Sequence, residues 1–188
     1  MNTIILASNS KARLSLLEEN GYNVIAKSTN IEEKSNMKLP QEIVVDLARQ
    51  KLEAYFNLYG KENDNIILAA DTMIYFKNQL IGKAKNKTEA YNTLKSLSNE
   101  KHQIYSSYAL YLPSSNKIET GFDLVDVKFK NLSDLTIMNY LVCNEWKGAA
   151  GSYRIQGKGK TLVEEINGDF NVAVGLPLKA ISALIRTS

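Results

Sequence analysis

The chain has 188 residues, 44% of them hydrophobic and 23% charged, with a formal net charge of +3. That length gives one domain with a real core, and the composition is that of an ordinary soluble globular protein. The small positive excess suits an anionic ligand, but no Lys/Arg stripe or run speaks for duplex nucleic acid. A lone cysteine, Cys143, excludes an internal disulfide and a cysteine-based metal site, in keeping with a reducing, cytoplasmic setting. No stretch approaches the ~18 consecutive apolar residues of a membrane span, and the apolar patch at residues 4–7 is too short for a signal segment.

Residues 3–7 read as a short buried strand. Ser8-Asn9-Ser10 end it, and Ser10 is the expected N-cap of a helix from Lys11 to Glu19, closed by Asn20-Gly21. A strand, a small polar loop and a helix N-terminus together make a natural seat for phosphate. Arg13, in the first turn, can aim a planar donor fork at the same anion. On the pattern alone, a plain cap and a solvated arginine explain these residues more readily. Tyr22 to Ala26 form a second strand, followed by a polar stretch, 27–39, that contains Glu32-Glu33. Acids in a loop matter to function only where another carboxylate comes close enough to share a hard cation.

Pro40 opens a long helix to about Leu58. At about 100° per residue, Val44, Leu47, Ala48, Ala54, Tyr55 and Leu58 share one face, and Glu42, Asp46, Arg49, Glu53 and Asn57 the other. Lys51 lies in the middle of the apolar face, where an ammonium must either snorkel out or meet an anion. The apolar run from Ile66 to Phe76 is a central, doubly covered strand, with Asp71 at its middle. A carboxylate there must be paired, bound to a metal or turned to a cleft, or else be a satisfied structural acid at a kink.

Lys77-Asn78 turn a hairpin into Gln79-Leu80-Ile81, and Gly82 lets backbone and the Lys83 ammonium approach a ligand together. Asn86-x-x-Glu89 is a capping box for a helix through Leu97. His102 begins a β stretch to Leu112. Without a Gly-x-Ser-x-Gly elbow it reads as structural or peripheral. Pro113 to Asn116 turn the chain into a strand at 117–130, where Val125, Val127 and Phe129 alternate, and Ser133 caps a helix to about Leu141. Gly159-Lys160-Thr161 matches the tail of a P-loop. The match fails, because Arg154 stands at the first glycine and β-like Leu162-Val163 follow in place of a helix. The glycines of 148–159 still mark backbone close to a ligand or a neighbouring segment. Pro177 opens a C-terminal amphipathic helix with Leu178, Ile181, Leu184 and Ile185.

In order and spacing, these segments resemble the Maf family of nucleoside triphosphate pyrophosphatases. The matching pieces are Leu6-Ala7-Ser8-Asn9-Ser10 with Arg13; Glu32-Glu33; Leu47-Ala48 with Lys51; Ala70-Asp71-Thr72; Gly82-Lys83; Ala150 to Gly157; and Gly175-Leu176-Pro177-Leu178. The resemblance implies an α/β fold: a single domain over 1–188, with a long mixed β-sheet, flanking helices and two lobes around a central cleft. It also implies a homodimer. The implied activity cleaves a nucleoside triphosphate between its α- and β-phosphates, giving monophosphate and pyrophosphate, with Mg²⁺ or Mn²⁺ as cofactor. By resemblance Asp71 is the proton acceptor, and Glu33 and Asp71 are the metal ligands. Ser8, Ser10, Arg13, Lys51 and Lys83 are phosphate-binding.

Three positions accompany substrate choice in that family, here Ala12, Thr72 and Gln156. Thr72 and Gln156 match the dTTP/UTP branch. Ala12 stands where the branches carry Arg or Trp and is too small to touch a base. Ala84 replaces the usual Pro after Gly-Lys. The alternatives are a nucleotide-binding regulator of cell division that does not turn over, and an ITP-type purine pyrophosphatase. The Ser-x-Ser-x-x-Arg and Ile-Gln-Gly patches disfavour the second.

Overall fold

The run Ile66–Phe76 forms an 11-residue strand, β3, buried at every position from Ile66 to Asp71. In the computed structural model, which describes residues 3–29, 31–61 and 64–187, β3 is an inner strand of a mixed sheet. The other strands of the sheet are β1 (Thr3–Leu6), β2 (Asn23–Ala26), β4 (Gln79–Ile81), β5 (Lys101–Leu112), β6 (Lys117–Phe129) and β7 (Val163–Asn167). Among the described residues this makes seven strands in the order β2-β1-β3-β5-β6-β7, with β4 on β3. The helices are α1 (Lys11–Glu19), α2 (Pro40–Tyr59), α3 (Lys87–Leu97), α4 (Asp134–Val142), α5 (Phe170–Val174) and α6 (Leu178–Thr187). The α/β class with a mixed sheet and helices is as the sequence implies.

The chain forms two units. The first comprises Met1–Asp71, Ser106–Asp123 and Gly175–Ser188; the second comprises Thr72–Tyr105 and Leu124–Val174. The chain crosses between them within β3, β5 and β6, so no linker in the sequence announces the division.

In the first unit β1 runs parallel to β2 and to β3, with Ile4 opposite both Val24 and Ile66. Parallel strands covered on both faces need apolar residues at every position, which explains Ile4-Ile5-Leu6 and Ile66 to Ala70. Ile5, Ala7, Ile67, Ala69, Ala109 and Tyr111 pack with Ala48, Leu52 and Tyr55 of α2. Each large side chain so buried contributes about 1.5–3 kcal/mol. The apolar stripe of α2 differs at one end from its predicted course. Leu52 is buried, whereas Leu58 in the last turn is 63% exposed. Periodicity gives a face, but not where along the helix its neighbours end.

In the second unit Lys77 and Asn78 both take left-handed φ (47° and 62°), the conformation a two-residue hairpin demands. Asn86 caps α3 by accepting from the Glu89 N–H at 2.9 Å, and Ser133 caps α4 in the same way. Val125, Val127 and Phe129 are fully buried, as their alternation predicts, in a core with Ile74, Leu94 and Ile137. The P-loop look-alike is a 3-10 turn, Lys158–Leu162, leading into β7. At Gly159 a Cβ would lie 2.5 Å from the Arg154 carbonyl oxygen, so there the glycine makes room for neighbouring chain. The short helix α5 has no counterpart in the sequence reading.

Candidate functional site

Asp71 stands at the end of the buried part of β3, its side chain 7% exposed. A lone carboxylate at that depth is costly unless it is matched by charge or hydrogen bonds. The match is Lys51. From the apolar face of α2 its ammonium donates to Asp71 Oδ1, and its side chain is 13% exposed. The same ammonium is 3.0 Å from Glu33 Oε1. The acid in the loop, the base on the helix and the acid on the strand therefore converge on one point, from segments distant in sequence.

Glu33 is held there by its neighbours. Gln50 on α2 donates to the Lys34 carbonyl at 2.8 Å and to Asp46 Oδ2 at 2.9 Å, and Ser35 Oγ donates to that same oxygen at 2.5 Å. Two residues of the polar loop are thus fastened to α2 immediately after Glu33. Glu32, by contrast, turns outward to Lys34 in a largely exposed pair.

Arg13 completes the charged group. Ser10 caps α1 by accepting from the Arg13 N–H at 3.4 Å, and the Ser10 N–H donates to Ser8 Oγ at 3.1 Å. The guanidinium itself is buried. Its Nε donates to the Gly175 carbonyl at 3.1 Å, and Nη1 donates to the Ala70 carbonyl at 2.9 Å and to Ser8 Oγ at 3.5 Å. Burial lowers its pKa, while the charges of Asp71 and Glu33 oppose that shift and favour the cation. Arg13 therefore ties α1 to the residue before Asp71 and to the start of the C-terminal segment. The acceptors at Ala70 and Gly175 are backbone carbonyls that no side-chain pattern could flag. The one available signal was Gly175, whose φ of +128° requires glycine.

Ala12 is half-buried in α1. Thr72, Lys83 and Gln156 belong to the second unit. Thr72 directly follows Asp71 on β3 and is half-buried, and Gln156 is exposed. Lys83 is exposed and bridges Ala150 in an antiparallel contact, and the Gly151 N–H donates to the Gly82 carbonyl at 3.2 Å. The Gly-Lys segment and the glycine-rich segment, read separately in the sequence, thus meet within one unit.

Carboxylates 33 and 71 are hard oxygen donors already drawn to a common cation, a donor set that fits Mg²⁺ or Mn²⁺. Among the described residues no group of three or more His, Cys, Asp and Glu could hold a metal. Nor is any helix long and apolar enough to cross a membrane. His102, the only histidine, is 2% exposed and shares a 2.7 Å hydrogen bond with Tyr153 in the second unit, packed edge-on to Phe129. Burial lowers its pKa to about 4, so it is neutral at physiological pH.

A family model for Maf-like proteins matches residues 3–188. The dTTP/UTP pyrophosphatase of Fusobacterium nucleatum is 40% identical over 176 residues, covering 93% of this chain and 90% of that protein. Those of Pyrococcus abyssi and Pyrococcus furiosus are each 38% identical, covering 97% and 99% of this chain and 95% of their own length.

Proposed function

Since the chain belongs to the Maf-like family, we propose that it is a nucleoside triphosphate pyrophosphatase acting on pyrimidine nucleotides of the dTTP/UTP class. The observation that carries this reading is the convergence of Glu33, Lys51 and Asp71 on one point. Water forms the new P–O bond, the anhydride bond between the α- and β-phosphates breaks, and the products are a monophosphate and pyrophosphate. Asp71 accepts the proton of the attacking water, because a buried carboxylate beside positive charge can be held in line with it. Ser8, Ser10, Arg13, Lys51 and Lys83 bind and neutralise the polyphosphate, the electrostatic preorganisation that such a reaction depends on.

Glu33 and Asp71 would hold the divalent cation, which when bound supplies charge stabilisation at the phosphate oxygens. Thr72 and Gln156 contribute to base selection, and Ala12 leaves that selection more relaxed than an arginine would. A homodimer in the cytoplasm is part of the same proposal.

The test is pyrophosphate release by the purified protein across a panel of dTTP, UTP, CTP, GTP and ITP with Mg²⁺ or Mn²⁺. The expected result is metal-dependent release, with dTTP and UTP preferred. Preference for ITP would favour the purine reading, and nucleotide binding without release would favour a sensor.

A further inference from the structure

The resting site carries its own counter-charge. Asp71 and Glu33 bring two negative charges, and Lys51 and Arg13 bring two positive ones. Lys51 contacts both acids, and Arg13 is close enough to feel both. The four groups are formally neutral together, with Asp71 and Lys51 almost withdrawn from water. A divalent cation alone would leave this enclosure with two uncompensated positive charges. A triphosphate alone would bring about four negative charges. Arriving together, the two ligands attract one another, and the cation halves the negative charge that the triphosphate alone would bring.

The ligand count points the same way. Among the described residues there is no third acid, histidine or cysteine beside Glu33 and Asp71. A hard cation seeking about six oxygens must therefore take most of them from water and phosphate. The ammonium meanwhile sits on an oxygen of each of the two carboxylates. A lysine is a compact charge on a flexible stem, able to exchange one anion for another by rotating its side chain.

We propose that Lys51 is the resting counter-cation of the site: it holds Glu33 and Asp71 in place of the metal and moves to the polyphosphate when metal and nucleotide bind. It follows that metal and nucleotide bind with positive coupling, each raising the affinity for the other by the same factor. This rests on the pyrophosphatase reading and adds to it an order imposed by charge: the nucleotide-free protein holds metal weakly.

The experiment is Mn²⁺ binding to the full chain, followed by the electron paramagnetic resonance signal of free Mn²⁺, with and without α,β-methylene-dTTP, the Mn²⁺ that the analogue chelates by itself being measured without protein and subtracted. That analogue has carbon in place of the scissile bridging oxygen and is not cleaved there. The wild type is expected to bind Mn²⁺ at least tenfold more tightly with the analogue present. Lys51→Met and Lys51→Gln are expected to bind Mn²⁺ at least tenfold more tightly than wild type without analogue, with the coupling reduced. Equal Mn²⁺ affinity of the wild type with and without analogue would overturn the proposal, whether or not either variant folds. So would unchanged or weaker Mn²⁺ binding by a folded Lys51 variant. Pyrophosphate release by the same wild-type preparation reads the activity separately. Turnover without coupling removes the lysine exchange and leaves the enzyme, whereas coupling without turnover of any nucleotide removes the enzyme and leaves the exchange.

Discussion

In the first unit, the charged Asp71 and Arg13 are buried and Lys51 is largely so; in the second, His102 and Tyr153 are buried as neutral groups. The charged cluster is matched by opposite charge, and it reaches solvent through Glu33, whose side chain is 41% exposed. The neutral pair shares one hydrogen bond and packs both rings edge-to-face on Phe129, while His102 Nδ1 is buried without a hydrogen-bond partner. Burial moves both of its pKa values away from neutrality, downward for His102 and upward for Tyr153, so neither group exchanges a proton near pH 7. A cluster of buried charges with an outlet is suited to exchanging one ion for another. A cluster of buried neutral groups packs a core. The lone histidine, the first residue one would suspect of catalysis, belongs to the second kind.

Substitutions in the two clusters should therefore fail in different ways. The largest effect is expected at Asp71→Asn, where the amide has the shape but not the charge or the basicity. Turnover should fall by about 10³-fold or more. Lys51 keeps Glu33 at 3.0 Å, so thermal melting should still report a folded protein.

At His102 the effect is on stability and depends on pH. The unfolded chain takes up a proton below about pH 6.5, whereas the folded chain resists until about pH 4. The unfolded state thus binds more protons throughout that window. Stability is fully present above pH 6.5, falls as the pH drops from 6.5 to 4, and loses about 3 kcal/mol from this group. Urea unfolding at stepped pH should show this component in the wild type and not in His102→Phe, whose turnover at pH 7 should be nearly unchanged. The smallest effect is expected at Ala12→Arg, which should sharpen preference for dTTP and UTP over GTP by about tenfold or less. An unchanged ratio of kcat/KM values would mean that position 12 does not face the base.

Sequence reading went furthest where a residue broke a pattern. Lys51 interrupts an apolar helix face and Asp71 an apolar strand, and the structure pairs the two. Such breaks are legible because burying a charge is costly enough to need a reason. Arg13 was legible as a first-turn donor but not as a tie, since its acceptors are carbonyls 57 and 162 residues away. The fastening of the Glu33 loop through Gln50 and Ser35 was hidden for a similar reason, because polar residues on the outer face of a helix carry no periodic signal. The boundary between units falls inside three strands, with no linker to mark it, and the helix Phe170–Val174 is too short for periodicity to reveal.

The central claim is that Glu33 and Asp71 act as one unit on the same substrate. A double-mutant cycle of Glu33→Gln and Asp71→Asn, read as the rate of pyrophosphate release from dTTP, tests it most directly. The account predicts that each single change removes most of the activity and that the pair is no slower than the worse single. Two losses that simply multiply, or a Glu33→Gln protein with wild-type turnover, would contradict it.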